Sequence, residues 1–272
     1  MTARTLFGAL AISFGLAAAS AAQTYTVQSQ NTLHLGYSST NATKISALKA
    51  QFNGFDIILL QEVMRGAYVV DNGTTDIAQV IPAGNYTFRE TGLLGKSSYK
   101  ETYVFIFNNA TIKFVDNLID APAADFSRPP HAILIQTGTT WTWIVNFHAI
   151  WGQPQQRATE AGNMNTFANL LANTPVSGQR YTNCVIGGDW NLPANDPGFN
   201  ALTGNGFTIE PAGLTSLTPA GDDSSSYDHF AYKVPAGNVT VTHAAVIVPA
   251  TGKATWRSTV SDHMGVSCTI SF

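Results

Sequence analysis

The sequence predicts an α/β sandwich with mixed β-sheets. Buried-strand runs of Ile, Val, Leu and Phe enclose helical patterns early in the chain, while short hairpin-like strands crowd its end. A third observation concerns what stands at the strand ends. Leu59-Leu60-Gln61-Glu62, Val145-Asn146-Phe147-His148, Ile186-Gly187-Gly188-Asp189-Trp190-Asn191 and Ser261-Asp262-His263 each place an acid, amide or imidazole beside such a run.

Tyr25 to Leu35 reads as the first strand. Asn41 to Phe52 carries Ile45, Leu48 and Phe52 at helical spacing, with Ser39, Thr40 or Asn41 available as a cap. Phe55 to Leu60 is a strand that ends near Glu62, and Tyr103 to Phe107 is another. Ala132 to Ile135 and Trp141 to Phe147 pair through the turn-rich Gly138-Thr139-Thr140. Arg157 to Leu171 gathers Ala161, Met164, Phe167, Leu170 and Leu171 near one helical face, and Asn183 to Ile186 follows as a strand. From Leu192 to Ser226 Gly, Pro, Asn and Asp dominate. Strands near 227–233, 239–248 and 264–270 finish the chain.

Size and composition bound the function. The chain has 272 residues, 44% of them hydrophobic and 11% charged, enough for one substantial core. Residues 1–22 read as a signal peptide: Arg4 is their lone charge, Leu6 to Ala19 is apolar, and small residues precede Gln23. The apolar run falls short of the ~20 residues of a membrane span, so export without a membrane anchor is expected. Residues 23–272 then form a single domain, extracellular or periplasmic. Without Arg4 the 14 basic side chains become 13, against 17 acidic ones. Binding nucleic acid through bulk positive charge is excluded, which leaves a bound cation and a few Arg or Lys contacts. Cys184 and Cys268 are open to a disulfide or to two buried thiols.

Glu62, Glu101, Asp189, Asp228 and Asp262 stand beside apolar strand residues, where a lone carboxylate is costly unless it is paired or bound to metal. Mg²⁺ takes one or two carboxylates and keeps waters, leaving room for phosphate oxygens. Glu62 and Asp262 lead as ligands. His148 and His263 lie at strand edges and suit proton transfer near neutral pH. His131, His229 and His243 lack such a setting and read as structural or surface residues. Arg128, in Phe126-Ser127-Arg128-Pro129-Pro130, reads equally as a phosphate ligand or as a surface ion pair. There is no Gly-x-Ser-x-Gly, P-loop, His-Glu-x-x-His or Cys-x-x-Cys. Carboxylates and imidazoles on a rigid sheet suit metal-assisted attack on a phosphate ester.

In this order the motifs Asp56-Ile-Ile-Leu-Leu-Gln-Glu62, Ser98-Tyr-Lys-Glu-Thr-Tyr103, Asp125-Phe-Ser-Arg128, Asn146-Phe-His148, Gly188-Asp-Trp-Asn191, Tyr227-Asp228 and Ser261-Asp-His263 resemble the endonuclease/exonuclease/phosphatase superfamily. Within it they are similar to secreted deoxyribonuclease I and to the nuclease subunit of cytolethal distending toxins, from about Tyr25 onward. The resemblance implies a four-layer αββα sandwich with two packed mixed sheets. It implies that Glu62 binds a divalent cation with help from Asp262, that Glu101 orients His148, and that Asp228 orients His263. Asp189 and Asn191 would position the water or the phosphate, and Arg128 would hold a backbone phosphate. The implied cofactor is Mg²⁺ or Mn²⁺ and the implied substrate DNA, cut by a monomer; whether a toxin-like partner subunit exists stays open. The family's first strand ends in an Asn of the metal site. The matching string here is Leu33-His34-Leu35-Gly36, which puts His34 among the implied metal ligands and opens the site to another divalent transition metal. Two alternatives share the fold, a phosphodiesterase or phosphatase of lipid headgroups and a non-catalytic secreted binding module. The lipid enzyme would need an exposed aromatic hairpin, for which Trp141-Thr142-Trp143 is the one candidate.

Overall fold

The computed structural model describes residues 24–37, 40–64, 73–96, 99–234 and 240–271. The expected signal peptide lies outside the described residues. Among the described residues twelve strands form two six-stranded sheets. The first contains β1 (Thr24–Leu35), β2 (Ile57–Met64), β3 (Tyr86–Glu90), β4 (Glu101–Asn108), β11 (Thr240–Ile247) and β12 (Gly265–Ser271) in the order β11-β12-β1-β2-β4-β3. The second contains β5 (Lys113–Asp120), β6 (His131–Thr137), β7 (Thr140–His148), β8 (Cys184–Asp189), β9 (Thr208–Pro211) and β10 (Asp228–Lys233) in the order β5-β6-β7-β8-β10-β9. Each sheet has one parallel pair near its middle, β1 with β2 and β7 with β8; its other pairs are antiparallel.

The Ile57-Ile58-Leu59-Leu60 run shows why four layers form. Successive side chains point to opposite faces. Ile57 and Leu59 enter the core between the sheets with Phe105, Ile133, Ile144 and Phe230. Ile58 and Leu60 pack outward against Leu48 and Phe52 of α1 (Ala42–Phe52), Ile77 of α2 (Gly73–Val80) and Trp256 of α5 (Lys253–Thr259). The second sheet does the same: Trp143, Val145 and Phe147 face Met164, Phe167 and Leu171 of α3 (Pro154–Asn173) and Leu202 of α4 (Asn200–Gly204). A strand covered on both faces reads as a continuous apolar run.

Local signals fix the ends. The Asn41 side chain accepts the Lys44 N–H at 3.0 Å and caps α1. Pro154 opens α3 three residues before the expected start at Arg157, and Gln153 and Gln156 form a capping box there. At Gly188 a Cβ would stand 1.8 Å from the Phe147 carbonyl oxygen, so β7 and β8 meet at a distance only glycine allows. Cys184 and Cys268 are free, buried thiols on different sheets.

Candidate active site

Two bulges shape one end of the sandwich. The β1–β2 register shifts between Asn31 and Leu35, and the β2–β4 register shifts between Leu60 and Val63. Leu33, His34 and Glu62 take left-handed φ values of 44°, 62° and 56° in those irregular stretches. Such a backbone costs of order 1 kcal/mol or more per non-glycine residue and persists where neighbours hold it. Here the hydroxyl of Thr32 donates to the Gln61 carbonyl at 2.8 Å, and Lys44 Nζ donates to the Leu33 carbonyl at 2.5 Å. The bulges bring Glu62 and His34 together, with His34 Nε2 3.2 Å from Glu62 Oε2.

The strand ends of both sheets converge on Asp189, which is 1% exposed. Its Oδ2 accepts from Asn31 Nδ2 at 3.1 Å and lies 3.6 Å from His148 Nε2 and 3.5 Å from His263 Nε2. Its Oδ1 accepts the Asn191 N–H at 2.9 Å, and Asn191 itself sits at φ 49° with its amide on the Ala149 carbonyl. Each imidazole is held from behind. His148 Nδ1 is 2.9 Å from Glu101 Oε1, and His263 Nδ1 is 2.8 Å from Asp228 Oδ2. Glu101 and Asp228 are fully buried. A carboxylate on Nδ1 fixes the tautomer and leaves Nε2 facing the cavity.

The electrostatics follow from this packing. Burial alone would raise the Glu101 carboxyl, but His148 and Arg128 outweigh it and hold the carboxyl below its ordinary range. Burial and Arg128 pull His148 down, while Glu101 and Asp189 push harder, so the ring stays protonated to a higher pH than usual. His263 is raised further: burial opposes, and Asp228 and Asp189 prevail. Lys44 is lowered by burial to about 8, although Glu62 and Asp262 act against the shift.

A cavity of about 350 Å³ opens at this point, with Glu62, His148, Asp189, Asn191, Asp262 and His263 in its wall. The chemistry of the set fits a hard divalent cation: three carboxylates face the same space, and an amide stands beside Glu62 and Asp189. Ligand atoms of Asp189, Asp228 and His263 also lie within 4.8 Å of one another. Because Asp228 already holds His263 Nδ1, that trio reads better as an oriented imidazole facing a third carboxylate. Glu62 and Asp262 are the groups that would hold the cation, and Asp189 stands between the imidazoles.

Two expectations are corrected by the geometry. Asn31, not His34, bridges Glu62 and Asp189, at 3.0 and 3.1 Å. It is the last residue of β1 in regular register with β2, opposite Gln61, and the bulge carries His34 beyond it. His34 is therefore an additional group at the site, with no Asn displaced. Arg128 is not a surface ion pair and does not line the cavity. It is 8% exposed, its Nε donates to the His148 carbonyl at 3.1 Å, an Nη donates to the Ala149 carbonyl, and Nε lies 3.7 Å from Glu101. It braces the loop after β7.

Sequence reasoning also missed supporting residues. Gln61 Nε2 donates to Asn146 Oδ1 at 2.7 Å and ties the two sheets through the core. Tyr103 Oη accepts the His148 N–H at 3.0 Å. Both Gln61 and Asn146 stand in the quoted motifs, one residue from Glu62 and two from His148. His131 and His229 are buried, and the His243 side chain lies outside the described residues.

No protein-family model matches the chain. It is 24% identical over 258 residues to a protein named deoxyribonuclease from Thioalkalivibrio sp. (strain K90mix), a match covering 88% of this chain and 68% of the relative. An endonuclease/exonuclease/phosphatase family protein from Bacteroides thetaiotaomicron has a similar structure, with TM-score 0.66, 16% identity and coverage of 93% of this chain and 99% of the other. A mannosyl-6-phosphatase from the same species gives TM-score 0.65, 16% identity and coverage of 91% and 100%. The two-sheet sandwich described above is the fold of endonuclease/exonuclease/phosphatase proteins, which the motifs of this chain resemble.

Proposed function

We propose that this chain is a secreted, divalent-metal-dependent phosphodiesterase that cuts DNA in the manner of deoxyribonuclease I. One observation carries the reading. Two imidazoles, each braced at Nδ1 by a buried carboxylate, one at the end of β7 and one just before β12, present Nε2 within 3.6 Å of one Asp189 oxygen. A phosphodiester at this point would be flanked by two proton carriers. Water adds to phosphorus in line with the departing ester oxygen. One Nε2 takes the water proton as the P–O bond breaks, and the other Nε2 gives a proton to the leaving oxygen. Asp189 orients the water, and Asn191 holds Asp189 through its backbone N–H. A divalent cation at Glu62 and Asp262 would supply charge to stabilise the phosphate oxygens. Mg²⁺ or Mn²⁺ suits these donors, and His34 adds a nitrogen that favours a later transition metal.

A phosphatase is the second reading, favoured by the mannosyl-6-phosphatase among similar structures. Against a lipid enzyme, Trp143 is fully buried and Trp141 stacks on Tyr181 at 4.9 Å, so the β7 tryptophans offer no membrane hairpin. Convergence of five acids and two histidines speaks against a binding module without activity. The test incubates residues 23–272 with plasmid DNA, sphingomyelin and a sugar monophosphate, each with Mg²⁺ and with EDTA. The expected result is nicked and then linear plasmid with Mg²⁺ only. Cleavage unchanged after thorough chelation would refute the metal mechanism, and release of phosphate from the sugar alone would favour the second reading.

A further inference from the structure

Trp151 is the most exposed of the five tryptophans, at 71%, while Trp143, Trp190 and Trp256 are buried. It lines the same cavity as His148, Asp189 and His263. Its ring is nonetheless braced. The Arg157 guanidinium lies over it, 5.5 Å from the centroid, and Tyr227 meets it edge-on at 6.1 Å. Arg157 is anchored in turn, donating to the Asn191 carbonyl at 2.7 Å and to Tyr227 Oη at 3.3 Å. The indole is thus tied to the residue that holds Asp189, and it turns a broad apolar face to solvent beside the hydrolytic centre.

The charge of the cavity narrows what that face can receive. Among the described residues its wall contains carboxylates, imidazoles and hydroxyls but no Lys or Arg. Among the described residues the nearby cations are engaged: Arg128 donates to the His148 and Ala149 carbonyls, Arg157 lies over the indole and donates to the Asn191 carbonyl, and Lys44 donates to the Leu33 carbonyl. A protein that grips duplex DNA depends on several cationic contacts to phosphates. Among the described residues the cavity wall adds none of these, so part of the affinity must come from another source. Stacking of a base on an aromatic ring supplies it, needs no charge, and is open only to a base whose face is not already covered by its neighbours in a duplex.

We infer that Trp151 is a stacking platform for an unpaired nucleobase next to the scissile phosphodiester, and that the chain therefore prefers single-stranded over duplex nucleic acid. This rests on the phosphodiesterase reading above and adds to it the strandedness of the substrate. Trp151 fixes where the strand lies and takes no part in proton transfer.

The test compares a fluorescein-labelled oligothymidylate, its duplex with oligoadenylate, and a strand with abasic sites in place of bases. Wild type should cut the single strand with the lowest KM. Trp151→Ala should raise that KM about 10- to 100-fold, the range a single base stack supplies, with a far smaller fall in kcat. Trp151→Phe should recover most of the loss, and on the abasic strand wild type and Trp151→Ala should have equal KM. Anisotropy of the labelled strand on a His263→Ala background with Mg²⁺ reads the same loss as weaker binding without turnover. Equal KM and equal binding for wild type and Trp151→Ala overturn the inference and leave the phosphodiesterase reading intact. Hydrolysis of bis(p-nitrophenyl) phosphate without cleavage or binding of any DNA overturns the inference and the choice of DNA together.

Discussion

Replacing Glu101 by Gln keeps the shape of a fully buried side chain and removes its charge. Glu101 stands between His148 Nδ1, at 2.9 Å, and Arg128 Nε, at 3.7 Å. Deleting one partner of a buried charge set typically costs about 3–5 kcal/mol, because the remaining charge loses its compensation. Arg128 keeps its two carbonyl acceptors, so the lower end, about 3 kcal/mol, is expected. For a domain of this size that lowers Tm by roughly 6–12 °C. The loss depends on pH in a defined way. The folded pKa of Glu101 is depressed, so its contribution is full above the unfolded value of about 4.3 and disappears as pH falls through the folded value. The folded pKa of His148 is raised, so its contribution is full below about 6.5 and disappears as pH rises through the folded value. The difference between wild type and variant should be largest between those limits and shrink on either side. Catalysis reports the same pair. With Glu101 neutral, burial and Arg128 dominate and His148 falls toward or below the ordinary imidazole range. The limb of the kcat profile due to His148 should move to lower pH, and the plateau should drop about 10²- to 10⁴-fold. If the acid limb moves, His148 is the base; if the alkaline limb moves, it is the acid. Urea unfolding across pH, with rates on bis(p-nitrophenyl) phosphate, measures both. A variant with unchanged limbs and unchanged midpoint would refute the coupling of Glu101 to His148.

Three further outcomes are expected. His263→Ala should still fold, less stably because the buried Asp228 loses its partner, and lose about 10²- to 10⁴-fold in kcat, checked by circular dichroism and plasmid nicking; near-normal turnover would remove His263 from proton transfer. His34→Asn should move the metal ranking toward Mg²⁺ and remove the nitrogen coupling from the electron spin resonance of bound Mn²⁺, while stability holds or rises slightly because Asn tolerates φ 62° better than His. An unchanged spectrum would place His34 outside the coordination sphere. Gly188→Ala should destabilise by about 3 kcal/mol or more, since its methyl meets the Phe147 carbonyl, whereas Gly204→Ala has open space in α4 and should be neutral or gain about 0.5–1 kcal/mol in urea unfolding.

The layers were legible because their physics is local in sequence. Ile57-Ile58-Leu59-Leu60 must be covered on both faces, and Ile45, Leu48 and Phe52 repeat at the period of a helix that can cover one of them. Other elements were illegible for equally local reasons. β3 is an edge strand whose residues are half-buried or exposed, so it carries no strong alternation. α5 has only seven residues and begins after Gly252 with no side-chain cap. The pairs of the site, Glu101 with His148 and Asp228 with His263, came from resemblance, since their partners are 47 and 35 residues apart.

The error over His34 has a different origin, and it bears on how such sites arise. In Leu33-His34-Leu35 the apolar–polar alternation continues past Asn31, so the sequence reads as one uninterrupted strand. The chain instead abandons its register with β2 at Asn31 and resumes it at Leu35 opposite Val63. Nothing in the residue types announces the break, because neither Leu33 nor His34 is a glycine, although both adopt left-handed φ. What holds them there is tertiary: Lys44 from α1 grips the Leu33 carbonyl, and Thr32 grips the carbonyls of Gln61 and Glu62. A regular strand would point alternate residues to opposite faces and could not bring Asn31, His34 and Glu62 to one place. The strain is thus the geometric condition for gathering these groups beside Asp189. Lys44→Met, which removes the grip on Leu33, should test that dependence. The bulge should relax toward regular pairing, His34 should leave Glu62, and activity should fall while most of the stability is kept, because a buried Lys whose folded pKa is lowered disfavours folding near neutral pH, so its removal relieves a cost that offsets the lost contact. Full activity in Lys44→Met, with amide exchange at Leu33 and His34 unchanged, would show that the bulge holds without its lysine.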